Sequence, residues 1–455
     1  MSFFTIPSVT RSLDDNSFLL AFHSIDNIIP KINNSLFTYL LKNKKQIEKH
    51  LYQWDQIKKY TNTYEYIHSQ IPGTKNSICK YKPISRSYFK MIEILDNFNI
   101  LEDYGNNPIT SFHLAEGPGG FIEALATKRE NSKDKYYGMT LIEPQNNNVP
   151  GWKKSEKILE KYKNIVIESG VDNKGDLYNK DNLEYCFKKH SNKMDIITAD
   201  GGFDFSIDFN KQEAYAIRLV FSQIAFAISM QKQDGCFILK IFDLFLESTI
   251  DLVYLLSSVY KTVYITKPNT SRTANSERYL VCKGFRYAIS EKPYKKFYSI
   301  FDLLSKVDLS KNYISKFFKF PIPYYYINRI EECNAILGQQ QIENINFTIS
   351  LIDSKKNNEK LEQIKKNNIQ KCIIWCSKHN LAHHKNYAST NIFLNVKQEK
   401  EVCEYTNNNG FIGTIGMKGI SNFDMGDVRS FVGIAGISGV TSIDDYNQNK
   451  YKNNK

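Results

Sequence analysis

Lys240 lies within Ile238-Leu239-Lys240-Ile241, a run so apolar that it predicts a buried strand carrying an ammonium group into the interior. Buried cations are rare unless paired. Asp200 is the natural partner: it closes the run 195–199, is followed by Gly201-Gly202, and belongs at the carboxyl edge of a sheet, where doubly wound folds keep their crevices. A lysine whose pKa is brought down from about 10.4 by desolvation and by a neighbouring cation can take a proton from a poor nucleophile such as a ribose 2′-hydroxyl. Lys90 could be that neighbour, on a helix whose Phe89, Ile92 and Leu95 face the core, and Glu277 could hold Lys90 so that two cations share one site. Taken singly, Lys90 reads as a surface salt bridge, Asp200 as a strand-end turn and Glu277 as an edge charge. Their order and placement favour a shared site in which alignment supplies most of the rate.

A second constellation is a strand, 112–115, that runs into Glu116-Gly117-Pro118-Gly119-Gly120-Phe121 and then a helix over 122–127. Glycine permits a tight turn and close approach to a ligand, and a helix start offers unpaired amides. This geometry suits a nucleoside cofactor lying across the strand end, although a glycine turn can equally serve only to pack helix against strand. The run is neither G-x-G-x-x-G nor a P-loop. Farther on, in Gly175-Asp176-Leu177, the carboxylate could accept from an exocyclic amine such as that of adenine, or cap a helix.

The elements that must position these residues alternate between 77 and 290. Short apolar runs predict strands at 112–115, 137–141, 165–167, 195–199, 236–241, 263–266 and 278–282, and three- and four-residue periodicity predicts helices, clearest at 212–231 and 249–260. Such alternation implies an α/β fold with a parallel sheet covered on both faces. The last two runs are separated by only 267–277, too short for a helix, and should form an antiparallel edge. Around this domain, residues 1–76 read as a helical extension, 291–394 as a small accessory module, and 395–455 as a Gly-, Asn- and Lys-rich tail, partly disordered.

The chain has 455 residues, a formal charge of +12 from 60 basic against 48 acidic residues, and 13% aromatics, including 29 Tyr and 29 Phe. That balance suits a protein that meets phosphates and unpaired bases. Eight cysteines without a C-x-x-C pair, no leader-like amino terminus and apolar runs broken before spanning length predict a soluble intracellular protein with no membrane partner. Cys372, Cys376, His379, His383 and His384 have zinc-like chemistry, but Ile373, Ile374 and Trp375 make the stretch read as a core helix with buried thiols.

Five segments in order, spanning about 85–285, resemble the FtsJ-type ribose 2′-O-methyltransferase family, specifically its cap-directed branch. They are Ser85-Arg86-Ser87-Tyr88-Phe89-Lys90, Ala115-Glu116-Gly117-Pro118-Gly119-Gly120-Phe121, Ala199-Asp200-Gly201-Gly202-Phe203, Lys240-Ile241-Phe242-Asp243-Leu244-Phe245, and 267–279 ending in Asn275-Ser276-Glu277-Arg278-Tyr279. The resemblance implies a class I methyltransferase sheet of Rossmann type, S-adenosyl-L-methionine as donor, and Lys240 as proton acceptor in a tetrad with Lys90, Asp200 and Glu277. It places Glu116, Gly117, Pro118, Gly119, Gly120, Phe121, Asp176 and Leu177 at the cofactor, and Asn275 and Arg272 at the RNA. The implied partner is the capped 5′ end of mRNA, together with other capping or transcription proteins, in the cytoplasm or the nucleus, and a metal is not part of it. Separately, the Asn-, Lys- and Ile-rich composition suggests an AT-rich genome such as that of a large cytoplasmic DNA virus, which adds a viral factory or virion as a location. Glu116 departs from the family, whose cap-directed branch usually has a small residue there. The competing readings are a ribosomal or transfer RNA 2′-O-methyltransferase and a non-catalytic RNA-binding subunit of the same fold.

Overall fold

The computed structural model describes residues 2–11, 13, 15–146, 149–202, 211–288, 294–354 and 358–384, all within a compact unit spanning 1–389. The proposed tail 395–455 and Phe203 of the aspartate segment lie outside the described residues. In chain order the elements are β1 (Phe3–Ile6), β2 (Phe18–Ser24), α1 (Asn34–Ile47), α2 (Leu51–Thr61), α3 (Ser87–Asn97), β3 (Thr110–Leu114), α4 (Gly120–Arg129), β4 (Lys135–Met139), α5 (Glu156–Lys161) and β5 (Ile165–Ile167). There follow α6 (Lys180–His190), β6 (Met194–Ala199), α7 (Gln212–Met230), β7 (Gln231–Phe242), α8 (Glu247–Val259), β8 (Tyr260–Thr266), β9 (Glu277–Phe285), α9 (Tyr294–Leu304), β10 (Asn312–Phe318), α10 (Tyr324–Asp353) and α11 (Asn358–Lys378).

Eight strands form one sheet in the order β1-β8-β9-β7-β6-β3-β4-β5. Strands β5, β4, β3, β6 and β7 run parallel, joined through helices. The last two strands of this sheet, β8 and β9, pair antiparallel as expected, with β9 inserted between β7 and β8. The edge belongs to β1, whose Phe3–Ile6 pairs antiparallel with Thr266–Val263. Sequence periodicity within 263–282 cannot reveal this, because the partner strand comes from the other end of the domain. The region 1–76 likewise differs from a helical extension: besides α1 and α2 it supplies β1 and β2, and β2 pairs antiparallel with β10 from the expected 291–394 module. This two-stranded sheet packs on α7 and α8, with the Phe221 and Phe317 rings 5.3 Å apart and Asp251 Oδ2 accepting from the Phe317 amide at 2.7 Å.

Burial on both faces of the sheet follows from strand alternation. In β7, Phe237, Leu239 and Ile241 enter the core under α7 and α8, while Cys236 and Ile238 enter the core under α3 and α4. Lys240 continues the second series, as do Tyr279 and Val281 in β9. Helix α3, carrying Lys90, covers that face; Phe89, Ile92 and Leu95 are all buried as expected. Helix α7 is long and apolar enough to cross a bilayer, contrary to the sequence reading, but 89% of its most apolar window is buried inside the protein. A helical layer of α1, α2 and α10 gathers Leu40, Trp54, Ile342 and Ile345 around Phe245.

Candidate active site at the carboxyl edge of the sheet

Register alone aligns the central residues. Leu114 pairs with Ala199, Ala199 with Leu239, and Lys240 with Tyr279. One residue beyond Leu114, Ala199 and Leu239, the chain presents Ala115, Asp200 and Lys240 in a row across adjacent strands about 4.8 Å apart. Lys240 Nζ donates to the Asp200 carbonyl at 2.6 Å and lies 3.1 Å from Asp200 Oδ1. A Cβ on Gly202 would sit 3.3 Å from that Nζ, so glycine there keeps the approach to the ammonium open.

Lys90 reaches the same place from α3. Its Nζ donates to Glu277 Oε2 at 2.7 Å and to the Tyr279 hydroxyl at 3.3 Å. Tyr279 in turn donates to Asp200 Oδ1 at 2.7 Å. The four ionisable residues singled out by sequence therefore converge, and a fifth, fully buried Tyr279, joins the two ion pairs into one hydrogen-bonded chain. Burial and the Asp200 and Glu277 charges hold the Tyr279 phenol well above its usual range. Burial pulls Lys90 downward against the opposing pull of Glu277. For Glu277 burial acts upward, yet Lys90, Lys240 and the Ser271 hydroxyl, donating at 2.7 Å, hold it well below the carboxylate range. Both pairs are nearly dry, a setting in which charges interact strongly but must be fully compensated.

Two residues outside the earlier set shape the loop 267–276. Glu93, one turn past Lys90, accepts from the amides of Asn269 and Thr270 at 2.9 and 3.1 Å. Lys267 Nζ donates to the Glu277 carbonyl at 2.8 Å and to Asn275 Oδ1 at 2.8 Å, while burial brings its pKa down to about 7. The signal for Glu93 was a charged residue inside the apolar run Met91-Ile92-Glu93-Ile94-Leu95, the same signal that identified Lys240, whereas Lys267, just past β8 and before Pro268, carries no such signal. Asn275 is exposed at the rim. Arg272, expected at the RNA, pairs with Glu65 in a two-point ion pair at 3.0 and 2.6 Å. It walls a cleft of about 270 Å³ with Asn62, Tyr64, Ser271 and Gln340.

The glycine loop follows β3 directly. Ala115 and Gly119 have φ of 53° and 106°, the second freely available only to glycine. A Cβ on Gly117 would collide with the Gly151 carbonyl, and one on Gly175 with the Thr140 carbonyl. Gly117 also donates from its amide to Thr140 Oγ1 at 3.3 Å, so Thr140 at the end of β4 lies between the loop and Gly175-Asp176. Asp176 Oδ1 caps a turn, accepting from the Tyr178 amide at 2.8 Å; its other oxygen has no protein partner among the described residues.

Three residues assigned to the cofactor have side chains turned into the interior. Glu116 is buried beneath the loop, hydrogen-bonded by Thr198 Oγ1 and 3.3 Å from His113 Nδ1, and burial raises its pKa. Phe121 packs in the core with its ring 6.0 Å from that of Tyr279, and Leu177 is buried in the opposite core layer. Alternation and helix phase turn these side chains inward, which motif spacing does not disclose. Cys372 and Cys376 are buried beside Trp375, and His379 Nδ1 is 2.6 Å from Asp96 Oδ2.

Residues 83–285 match the family model described as FtsJ-like methyltransferase. The chain is 28% identical over 384 residues, 81% of its length, to a cap-specific mRNA (nucleoside-2′-O-)-methyltransferase 2 from Pongo abelii, of which this covers 46%. A cap-specific mRNA (nucleoside-2′-O-)-methyltransferase 1 from Bos taurus is 36% identical over 185 residues, 39% of this chain and 22% of its own. The chain thus spans less than half the length of these relatives. Among solved structures, a putative ribosomal RNA methyltransferase from Plasmodium falciparum covers 45% of this chain and 99% of its own, at 21% identity and a TM-score of 0.32.

Proposed function

We propose, from the match of residues 83–285 to the FtsJ-like methyltransferase family model, that the protein methylates the ribose 2′-hydroxyl of a cap-proximal mRNA nucleotide, with S-adenosyl-L-methionine as donor. The observation carrying this reading is the continuous chain Lys240–Asp200–Tyr279–Lys90–Glu277 beside the glycine loop. The residues present fit the donor: Asp176 keeps a half-buried carboxylate oxygen for a hydroxyl or amine, and Asp200 offers a negative charge to a sulfonium. When bound, the donor supplies an electrophilic methyl group.

Everything else falls to the chain. Two of the three hydrogen-bonding directions of Lys240 Nζ go to Asp200, leaving the third toward the gap over Gly202, where a ribose oxygen can be held. In this reading Lys240 accepts the hydroxyl proton at Nζ as the oxygen attacks, Asp200 orients the amine, and Glu277 fixes Lys90 so that the cluster's charges stay matched. Asn275 meets the RNA at the rim. The relatives named for capped mRNA favour that substrate over ribosomal or transfer RNA.

Methyl transfer to short capped and uncapped RNAs of one sequence, with the modified position mapped, tests the proposal. Transfer to the capped RNA at a cap-proximal ribose is expected. Equal rates on both RNAs would remove the cap, and absence of donor binding in calorimetry would leave a non-catalytic RNA-binding protein.

A further inference from the structure

A second cavity, of about 270 Å³, opens where the segment after β5, the first turns of α7 and the start of β10 meet; Tyr178, Tyr215, Arg218, Ser310, Asn312 and Tyr313 line it. The Arg218 guanidinium lies 4.0 Å from the centre of the Tyr178 ring, a cation–π stack that fixes the plane of the cation. Arg218 has no carboxylate partner among the described residues, and none of the residues lining the cavity is acidic. Tyr215 is 39% exposed, offering a ring face, whereas Tyr313 is buried and forms the floor. A half-buried arginine with no counter-charge among the described residues is poised for an anion, and a planar guanidinium flanked by tyrosines matches phosphate and unpaired base together. An acidic peptide would use the cation but not the rings.

The position ties the cavity to the tetrad. Gln212, the first residue of α7, accepts from Ser276 Oγ at 2.5 Å, next to Glu277. Arg218 follows six residues later on the same helix, about 9 Å along its axis. Tyr178 is two residues beyond Asp176 and receives its cap. We propose that this cavity is an RNA subsite that holds one unpaired nucleotide outside the tetrad, with its base on Tyr215 and its phosphate on Arg218. The inference rests on the RNA reading above and adds where the strand is gripped.

The test uses the full chain, Arg218→Ala and Tyr215→Ala, with Tyr215→Phe as the stacking control. Capped RNAs of about 4 and about 16 nucleotides bracket common single-strand site sizes. Loss of one stacking or phosphate contact should raise KM and Kd for the longer RNA roughly 5- to 100-fold, leave kcat unchanged, and spare the shorter RNA. Tyr215→Phe should behave as wild type. Equal effects at both lengths, or no effect at the longer one, would overturn the subsite. If the wild type methylates no RNA, the catalytic reading fails by itself, and anisotropy with the longer RNA still decides the subsite. Arg218-dependent binding of free AMP or GMP without any change in RNA affinity would mark a mononucleotide site and overturn it.

Discussion

Removing the Tyr279 hydroxyl tests the site more sharply than removing any of its charges. In Tyr279→Phe the ring still packs 6.0 Å from Phe121, Lys240 keeps Asp200, and Lys90 keeps Glu277 at 2.7 Å. Only the bridge goes: the 2.7 Å bond to Asp200 Oδ1 and the 3.3 Å bond from Lys90 Nζ. A hydrogen bond to a charged group contributes about 1.5–3 kcal/mol. If that bridge fixes Asp200, and through it Lys240, most of the loss falls on the aligned transition state. The expected fall in kcat is then roughly 10- to 150-fold. Single-turnover transfer of a labelled methyl to a short capped RNA measures it, with donor affinity from calorimetry and the melting midpoint as controls. Donor affinity should stay within about twofold, a change of less than half a kcal/mol. A rate within twofold of wild type would refute the idea that the two ion pairs act as one unit. A rate loss matched by lost donor affinity would place the effect in packing against Phe121.

Lys240→Ala should lower transfer by roughly 10²–10⁴-fold with donor binding near normal, because the group lost is the one assigned to the proton; single-turnover kinetics and calorimetry separate the two. Gly117→Ala drives a Cβ into the Gly151 carbonyl and should cost about 1–3 kcal/mol of stability together with donor affinity, read by thermal melts with and without donor. Glu213 lies buried under α8, accepting from the Phe245 and Leu246 amides at 3.0 and 2.9 Å; burial and Asp243 raise its pKa from 4.5 to about 7. A raised folded pKa means that its stabilisation is complete below pH 4.5 and is lost as pH climbs through about 7, by about 3 kcal/mol in all. Glu213→Gln, which keeps an accepting oxygen, should flatten the denaturation midpoint between pH 5 and 7, and an unchanged slope there would exclude Glu213 as its source.

By itself the sequence determined the alternating α/β domain and the four ionisable residues at its edge. Strand patterning is local, and a charge such as Lys240 inside an apolar run is conspicuous without any neighbour in view. The two-residue repeat relates residues within one strand only, and it was the pairing across β7 and β9 that put Lys240 and Tyr279 side by side on one face. Tertiary structure decided the rest. The place of β9 inside the sheet, the edge strand from residues 3–6, and the union of β2 with β10 depend on partners far apart in sequence. So do the pairing of Arg272 with Glu65 and the inward turn of Glu116 toward His113 and Thr198. A motif specifies which groups are available, but where a side chain ends up is a balance of burial against pairing, settled only when both partners and the surface between them are assembled.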